Sequence, residues 1–186
     1  MATDTRTLIL EAAKELAESN LSVEGVTISF ESVAQRTGLT KPGIMYHFPT
    51  KEALMRGLVE HAGQRWHALL HERAGAAPDR LSVFDRHRAY IWVATTSEVS
   101  RADYWILSGA LYHSALTDSW NEYLGPWHAA DGLGAQARSL LTAARFCADG
   151  AWMSEATGVF TADDLSAVHQ HALKLINDAE KLEGNE

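Results

Sequence analysis

Apolar residues recur along most of this chain at intervals of three and four, the spacing of one face of an α-helix, and no alternating strand pattern of useful length interrupts them. Leu8, Ile9, Ala12, Ala13, Leu16 and Ala17 form a first stripe, with Asp4 or Thr5 placed to cap it. Residues 19–27 read as a loop. Ser29 caps a second helix that turns Phe30, Val33, Ala34 and Thr37 to one side and ends at Gly38, a residue that tolerates the left-handed conformation. Thr40 caps a short third helix with Pro42 in its first turn, where an absent N–H costs nothing, and Pro49 closes it. Thr50 opens a long fourth helix to about residue 71, with Leu54, Leu58, Ala62, Trp66 and Leu69 at helical spacing. After a break at 73–80, rich in small residues, further helices are expected near 80–98, 101–116, 118–130, 135–157 and 161–182. Gly125-Pro126 is expected to kink or split the third of these, and Thr161 with Asp164 resembles a capping box for the last. The pattern predicts an all-α protein.

Composition narrows the class. The chain has 186 residues, 46% hydrophobic and 22% charged, with four prolines, enough apolar material for a core. Cys147 is the only cysteine, so no intrachain disulfide can form. The first residues do not read as a secretory signal, and no apolar run reaches the roughly 18 residues of a membrane span. These features predict a cytoplasmic protein with no membrane partner.

Net charge is −8, unevenly spread. Residues 1–71 hold 7 Lys/Arg against 8 Asp/Glu, whereas 72–186 hold 9 against 16. Between Val33 and Arg56 four basic residues face the single acid Glu52. A local positive field survives in an acidic chain, on a segment suited to a polyanion.

That segment, "SFESVAQRTGLTKPGIMYHFPTKEAL" at 29–54, is a helix, a tight turn at Gly38 and a second short helix: a helix-turn-helix. Ile44 and Phe48 face inward, while Lys41, Gly43, Tyr46 and His47 face outward. A helix of this kind can enter the DNA major groove while flanking groups hold phosphates. Lys51 opens the following helix, where its ammonium and the free backbone N–H groups both favour a phosphate oxygen.

"VAQRTGLTKPGIMYHFPTKEAL" resembles the DNA-binding domain of the tetracycline-repressor (TetR) family of bacterial transcription regulators, over about residues 6–60. Val33-Ala34, Gly38, Leu39, Tyr46-His47-Phe48, Lys51 and Leu54 carry the resemblance. It implies a helix-turn-helix domain at 1–50 and, from the long fourth helix onward, a helical ligand-binding and dimerisation domain at 51–186. The DNA-facing set becomes Ser29, Arg36, Thr40, Lys41, Pro42, Gly43, Met45, Tyr46, His47, Thr50 and Lys51. Two positions depart from the family pattern. Met45 stands where Tyr is usual, so any contact there is apolar, and Gly43 replaces a common Thr or Ser, removing a hydroxyl.

Eight of the eleven Trp and Tyr residues lie between 90 and 127. Such a cluster suits either an aromatic core or a mostly apolar pocket with a few orienting polar groups. The family resemblance favours a pocket, for which Arg88, Trp92, Trp105, Ser108, Tyr112, His113 and Trp127 are the candidates. Leu141, Ala144, Ala148, Ala151 and Trp152 share a broad face of one helix, and Leu165, Val168, Ala172, Leu175 and Ile176 share one on the next. "CADGAW" at 147–152 resembles an element of the family's dimer helix, and the two faces are expected to form a homodimer interface.

No nucleophile elbow, phosphate loop, dinucleotide fingerprint or zinc spacing occurs, so no catalytic, cofactor or metal residue is assigned. The His67/His71 pair reads as ordinary surface or core histidines. The sequence therefore predicts a homodimeric regulator that binds a palindromic operator in double-stranded DNA. A small apolar or aromatic effector is expected to release it, as in a repressor. The alternatives are a constitutive DNA-binding regulator, a helical enzyme or a protein-interaction module.

Overall fold

The computed structural model describes residues 4–19, 28–96, 101–110 and 114–184, so most of the loop expected at 19–27 lies outside the described residues. Within them the chain is all-helical, as expected. The helices are α1 (Thr5–Ser19), α2 (Phe30–Thr37), α3 (Lys41–His47), α4 (Lys51–Ala74), α5 (Val83–Thr95), α6 (Arg101–Ala110), α7 (Ser114–His128), α8 (Ala135–Thr157) and α9 (Leu165–Glu183). A 3₁₀ turn, Pro78–Arg80, follows α4.

Local chemistry sets most of these ends. Ser29 and Ser32 form a reciprocal box: the Ser32 N–H donates to Ser29 Oγ at 3.1 Å and the Ser29 N–H to Ser32 Oγ at 3.0 Å. Gly38 ends α2 at φ 74°, its N–H bonded to Ala34 O. Thr40 and Thr50 each accept a backbone N–H three residues on, from Gly43 and Ala53. The last helix begins later than expected. Asp164, not Thr161, caps it, accepting from the Ala167 N–H at 3.0 Å. Pro126 does not split α7. It lies in the final turn, where the Arg86 guanidinium donates to Pro126 O at 2.7 Å and to Ala129 O at 2.9 Å. Those bonds cover carbonyls that have no helical partner.

The chain divides into two compact units, residues 1–64 with 100–121 and residues 65–99 with 122–186. The long helix α4 runs from the first into the second. In the first, Ile9, Leu10, Ala13, Val33, Ile44, Phe48, Leu54 and Leu58 form one core with Ala102, Ile106 and Leu116 of α6 and α7. The α1 stripe is turned slightly from the expected one: Leu10 is buried, while Leu8 is 41% exposed. Trp105 and Trp120 pack against this core. In the second unit α8 packs on α9 and α5. Trp66, fully buried, lies against Tyr90 and Trp152 at ring separations of 5.7 and 4.8 Å.

Gly57 sits where α4 crosses the first core. A Cβ there would stand 2.7 Å from Phe48 Cε1 and 3.2 Å from Leu10 Cδ2, both buried side chains. Glycine-to-alanine in a helix normally gains up to about 1 kcal/mol, whereas overpacking a core costs about 1–3 kcal/mol. The clash wins, so Gly57→Ala is expected to lose roughly 1 kcal/mol. A urea midpoint equal to or above the parent's would contradict this packing.

Candidate nucleic-acid interface and effector hollow

The helix-turn-helix stands on the first core through α3. Ile44 and Phe48 are buried, which turns the rest of α3 outward: Tyr46 is 84% exposed and Met45 39%. His47 is half-buried, its ring edge-on to Tyr46 at 5.2 Å. Gly43 is confined by the cap, since a Cβ would meet Thr40 Oγ1 at 3.3 Å. Pro42, Thr40 and Thr50 lie exposed beside it, while Ser29 is half-buried in its capping box.

The cations of this surface are not equivalent. Lys41 is paired with Glu31 at 2.5 Å, Arg36 with Glu15 at 3.1 Å and Arg56 with Glu52 at 3.0 Å. Lys41 holds the Glu31 carboxyl below its ordinary value. Lys51, exposed at the start of α4, has no ion pair with any described residue. An outside anion meets Lys51 with no intramolecular bond to break, whereas Arg36 and Lys41 must first exchange partners. The pairs are exposed, so that exchange is cheap. Glu15 and Glu31 carry no mark in the sequence, and only the packing of α1, α2 and α3 shows what they hold.

The second unit contains a hollow of about 400 Å³ lined by the end of α4 (Arg73, Ala74), by Leu81, by α5 (Asp85, Arg88, Ala89, Trp92) and by α9 (His169, Leu173). Of the expected pocket residues, Arg88 and Trp92 line it. Trp105 does not; it packs against the core of the first unit, and Ser108 donates to its carbonyl at 3.0 Å. Trp127 is fully buried, its Nε1–H donated to His67 Nδ1 at 3.1 Å, so it is core rather than lining. That bond makes His67 Nδ1 an acceptor and fixes the tautomer. Tyr112 and His113 lie outside the described residues.

In the second unit, α5 and α8 also enclose a polar group. Tyr90 O–H donates to Asp149 at 2.6 Å, and Arg145 holds the other carboxylate oxygen at 2.6 Å. The His128 ring stands edge-on to Tyr90 at 4.3 Å, and its buried Nδ1 has no hydrogen-bond partner among the described residues. Burial, with His87 and Arg145 nearby, pushes its pKa down to about 3. Burial likewise lowers His87, whose Nδ1–H is given to Val83 O at 2.8 Å. Asp149 is raised by the same burial, against the pull of Tyr90 and Arg145.

The sequence model of the family described as "Tetracyclin repressor-like, C-terminal domain" matches residues 85–177, half of the chain. The chain belongs to the TetR family. No curated protein matches it. Among solved structures, the multidrug binding protein EbrR complexed with malachite green has a TM-score of 0.64 at 19% identity, covering 93% of this chain and 98% of that one. EbrR complexed with imidazole gives 0.61 at 19% identity, covering 93% and 95%. A member of the TetR family from Streptomyces coelicolor A3 gives 0.65 at 17% identity, covering 93% and 98%. At these identities the likeness is one of fold. Among the described residues no helix is long and apolar enough to cross a membrane.

For a TetR-family chain the two last helices carry an unexpected division. Leu141, Ala144, Ala148, Ala151 and Trp152 of α8 and Ala172 and Ile176 of α9, expected to face a second copy, are buried within the single chain. Only Leu165, Val168 and Leu175 of the expected set stay half-open. The reason is that each helix spends its more apolar face on its own core. What α8 leaves outside is a second stripe at intervals of four and three: Ser139, Ala143, Phe146, Gly150 and Met153, with Phe146 60% and Met153 46% exposed. Cys147 is exposed beside it.

Proposed function

We propose that this TetR-family chain is a homodimeric DNA-binding transcriptional regulator, a repressor that releases a palindromic operator when a small effector binds. The observation that carries the DNA reading is the outward face of α3, with Tyr46 and Met45 exposed and Lys51, unpaired among the described residues, at the head of the next helix. Lys51, Tyr46, Thr40, Thr50 and the half-buried His47 supply phosphate contacts, and Ser29 and Arg36 flank them. Lys41 joins them by leaving Glu31. Met45, with Pro42 and Gly43 beside it, offers bases an apolar surface suited to a thymine methyl group.

The outer stripe of α8, with Leu165, Val168 and Leu175 of α9, meets its symmetry mate in a four-helix seam, its small Ala143 and Gly150 allowing close approach. Two heads fixed in this way read two half-sites. The effector reading is supported by the hollow of the second unit and by the shared fold of EbrR, a multidrug binding protein. Effector and operator then favour different states of one dimer, and each weakens the other by the same factor.

Selection of bound fragments from random duplexes supplies the operator, and Lys51→Ala and Tyr46→Phe test the face. Both are expected to weaken specific and unrelated DNA alike, because phosphate contacts position without specifying. Lys51→Ala should also make the fall of log affinity with log salt shallower by about 0.9 for each phosphate left without its cation. Parental affinity at several salt concentrations in both variants would remove this docking face.

A further inference from the structure

We propose that the hollow between the end of α4, α5 and α9 is a binding site for a flat aromatic anion, a carboxylate or sulfonate carrying an O–H or N–H donor, with Arg73 as its charge partner. For the function this rests on the effector reading above. As a binding site it stands on its own geometry.

The two guanidinium groups of the hollow differ in what they have left to give. Arg88 is committed: it donates to Asp85 at 3.0 Å, to Asn177 at 2.9 Å and to Glu180. It ties α5 to α9 and forms a wall. Arg73 has no carboxylate partner among the described residues. Its guanidinium lies over the Trp92 ring, 4.6 Å from the centroid, which orients the group while using none of its five N–H donors. A planar cation held on an indole with its edge free matches the two oxygens of a carboxylate or sulfonate.

His169 contributes the opposite polarity. Thr95 Oγ1 lies 2.6 Å from both Ile91 O and His169 Nδ1. The single hydroxyl proton goes to the carbonyl, which can only accept, so His169 donates its Nδ1–H to Thr95 and keeps Nε2 as an acceptor. Burial and the charge of Arg73 both lower the His169 pKa, which favours that neutral form at neutral pH. Ala74, Leu81, Ala89, Trp92 and Leu173 supply the apolar part of the lining, beside Asp85, whose two carboxylate oxygens accept from Ser82 and Arg88. About 400 Å³ lies within the roughly 300–1,000 Å³ of small-molecule sites. One cation with free donors, one acceptor, an apolar wall and an Asp85 carboxylate already bonded to Arg88 favour an aromatic acid with one donor over a neutral hydrocarbon or an amine.

The probe is 1-anilinonaphthalene-8-sulfonate, which has a sulfonate and an N–H on an aromatic body. Its match is N-phenyl-1-naphthylamine, the same skeleton without the charge. Both brighten on leaving water and take energy from tryptophan. The sulfonate is expected to bind one per chain and to displace, or be displaced by, aromatic carboxylates. Arg73→Gln should weaken it roughly 10- to 100-fold, Arg73→Lys should restore part of that, and the neutral skeleton should be insensitive to both. Arg73 is exposed and holds no other side chain in a hydrogen bond among the described residues, so these variants should melt with the parent. The inference is overturned by no saturable sulfonate binding below about 1 mM, by equal affinity for the neutral skeleton, or by an Arg73→Gln affinity equal to the parent's. Because no DNA is present, the outcome is independent of the regulator reading. If the sulfonate binds as expected but leaves operator affinity unchanged, the site stands and the effector reading fails.

Discussion

Replacing Phe146 and Met153 together by glutamate should turn a dimer into a folded monomer. Both side chains project from the outer stripe of α8, 60% and 46% exposed, and contribute little to the chain's own core. In a two-fold interface each appears twice. Burying an apolar side chain of this size contributes about 1.5–3 kcal/mol, so removing four of them and adding four like charges should weaken association by at least about 10³-fold. Ala148→Glu makes the contrast. Ala148 has no exposed surface, so a carboxylate there is buried without a partner and should unfold the second unit rather than separate subunits. Sedimentation gives the assembly state and circular dichroism the fold. Operator affinity should fall with dimerisation, because one head reads one half-site. A parent chain that sediments as a monomer at micromolar concentration, or a double variant that stays dimeric, would sink the interface.

Stability should fall steeply as pH drops below about 6.5. His128 has its folded pKa lowered to about 3, mainly by burial. Between the ordinary value near 6.5 and that lowered value the unfolded chain binds a proton that the native chain refuses. Stability therefore rises with pH across this window, is fully present above about 6.5 and is lost as pH falls toward 3. One such proton gives about 1.4 kcal/mol per pH unit and about 5 kcal/mol across the whole window. His87, lowered by burial in the same group, adds in the same sense. Asp149, raised by burial, has the opposite sign, because the native state retains its proton above the ordinary carboxylate range. Its titration therefore offsets part of the histidine contribution on the acid side of the window. His128→Phe keeps the edge-on contact with Tyr90 and removes both the titration and a nitrogen that no described residue bonds. Urea titrations at about pH 7, 6 and 5 should show a slope shallower by about one proton in the variant. A parent as stable in mild acid as at neutral pH, or an unchanged slope in His128→Phe, would contradict the burial of this ring.

What is legible in the sequence is short-range. Ser29, Gly38, Thr40 and Thr50 set helix ends through bonds spanning three or four residues, so the letters contain both partners. Ile44 and Phe48 on one side of α3, and Tyr46 on the other, follow from the period of a single helix. The family is readable because its head depends on such local features.

Tertiary structure decides everything that depends on which face meets what. Periodicity measures how apolar a helical face is and not what covers it. The richer face of α8, Leu141 to Trp152, therefore reads as the meeting place of two chains when it is the core of one. Trp105, Trp127 and Trp92 are alike as letters, yet the first packs on the head's core, the second gives its N–H to His67 and the third lines a hollow. Arg73 lies in a stretch that reads only as a break, and His169 as an ordinary histidine near the end of the chain. Their place beside Trp92 joins α4, α5 and α9 across nearly a hundred residues of sequence, and no local signal encodes that distance.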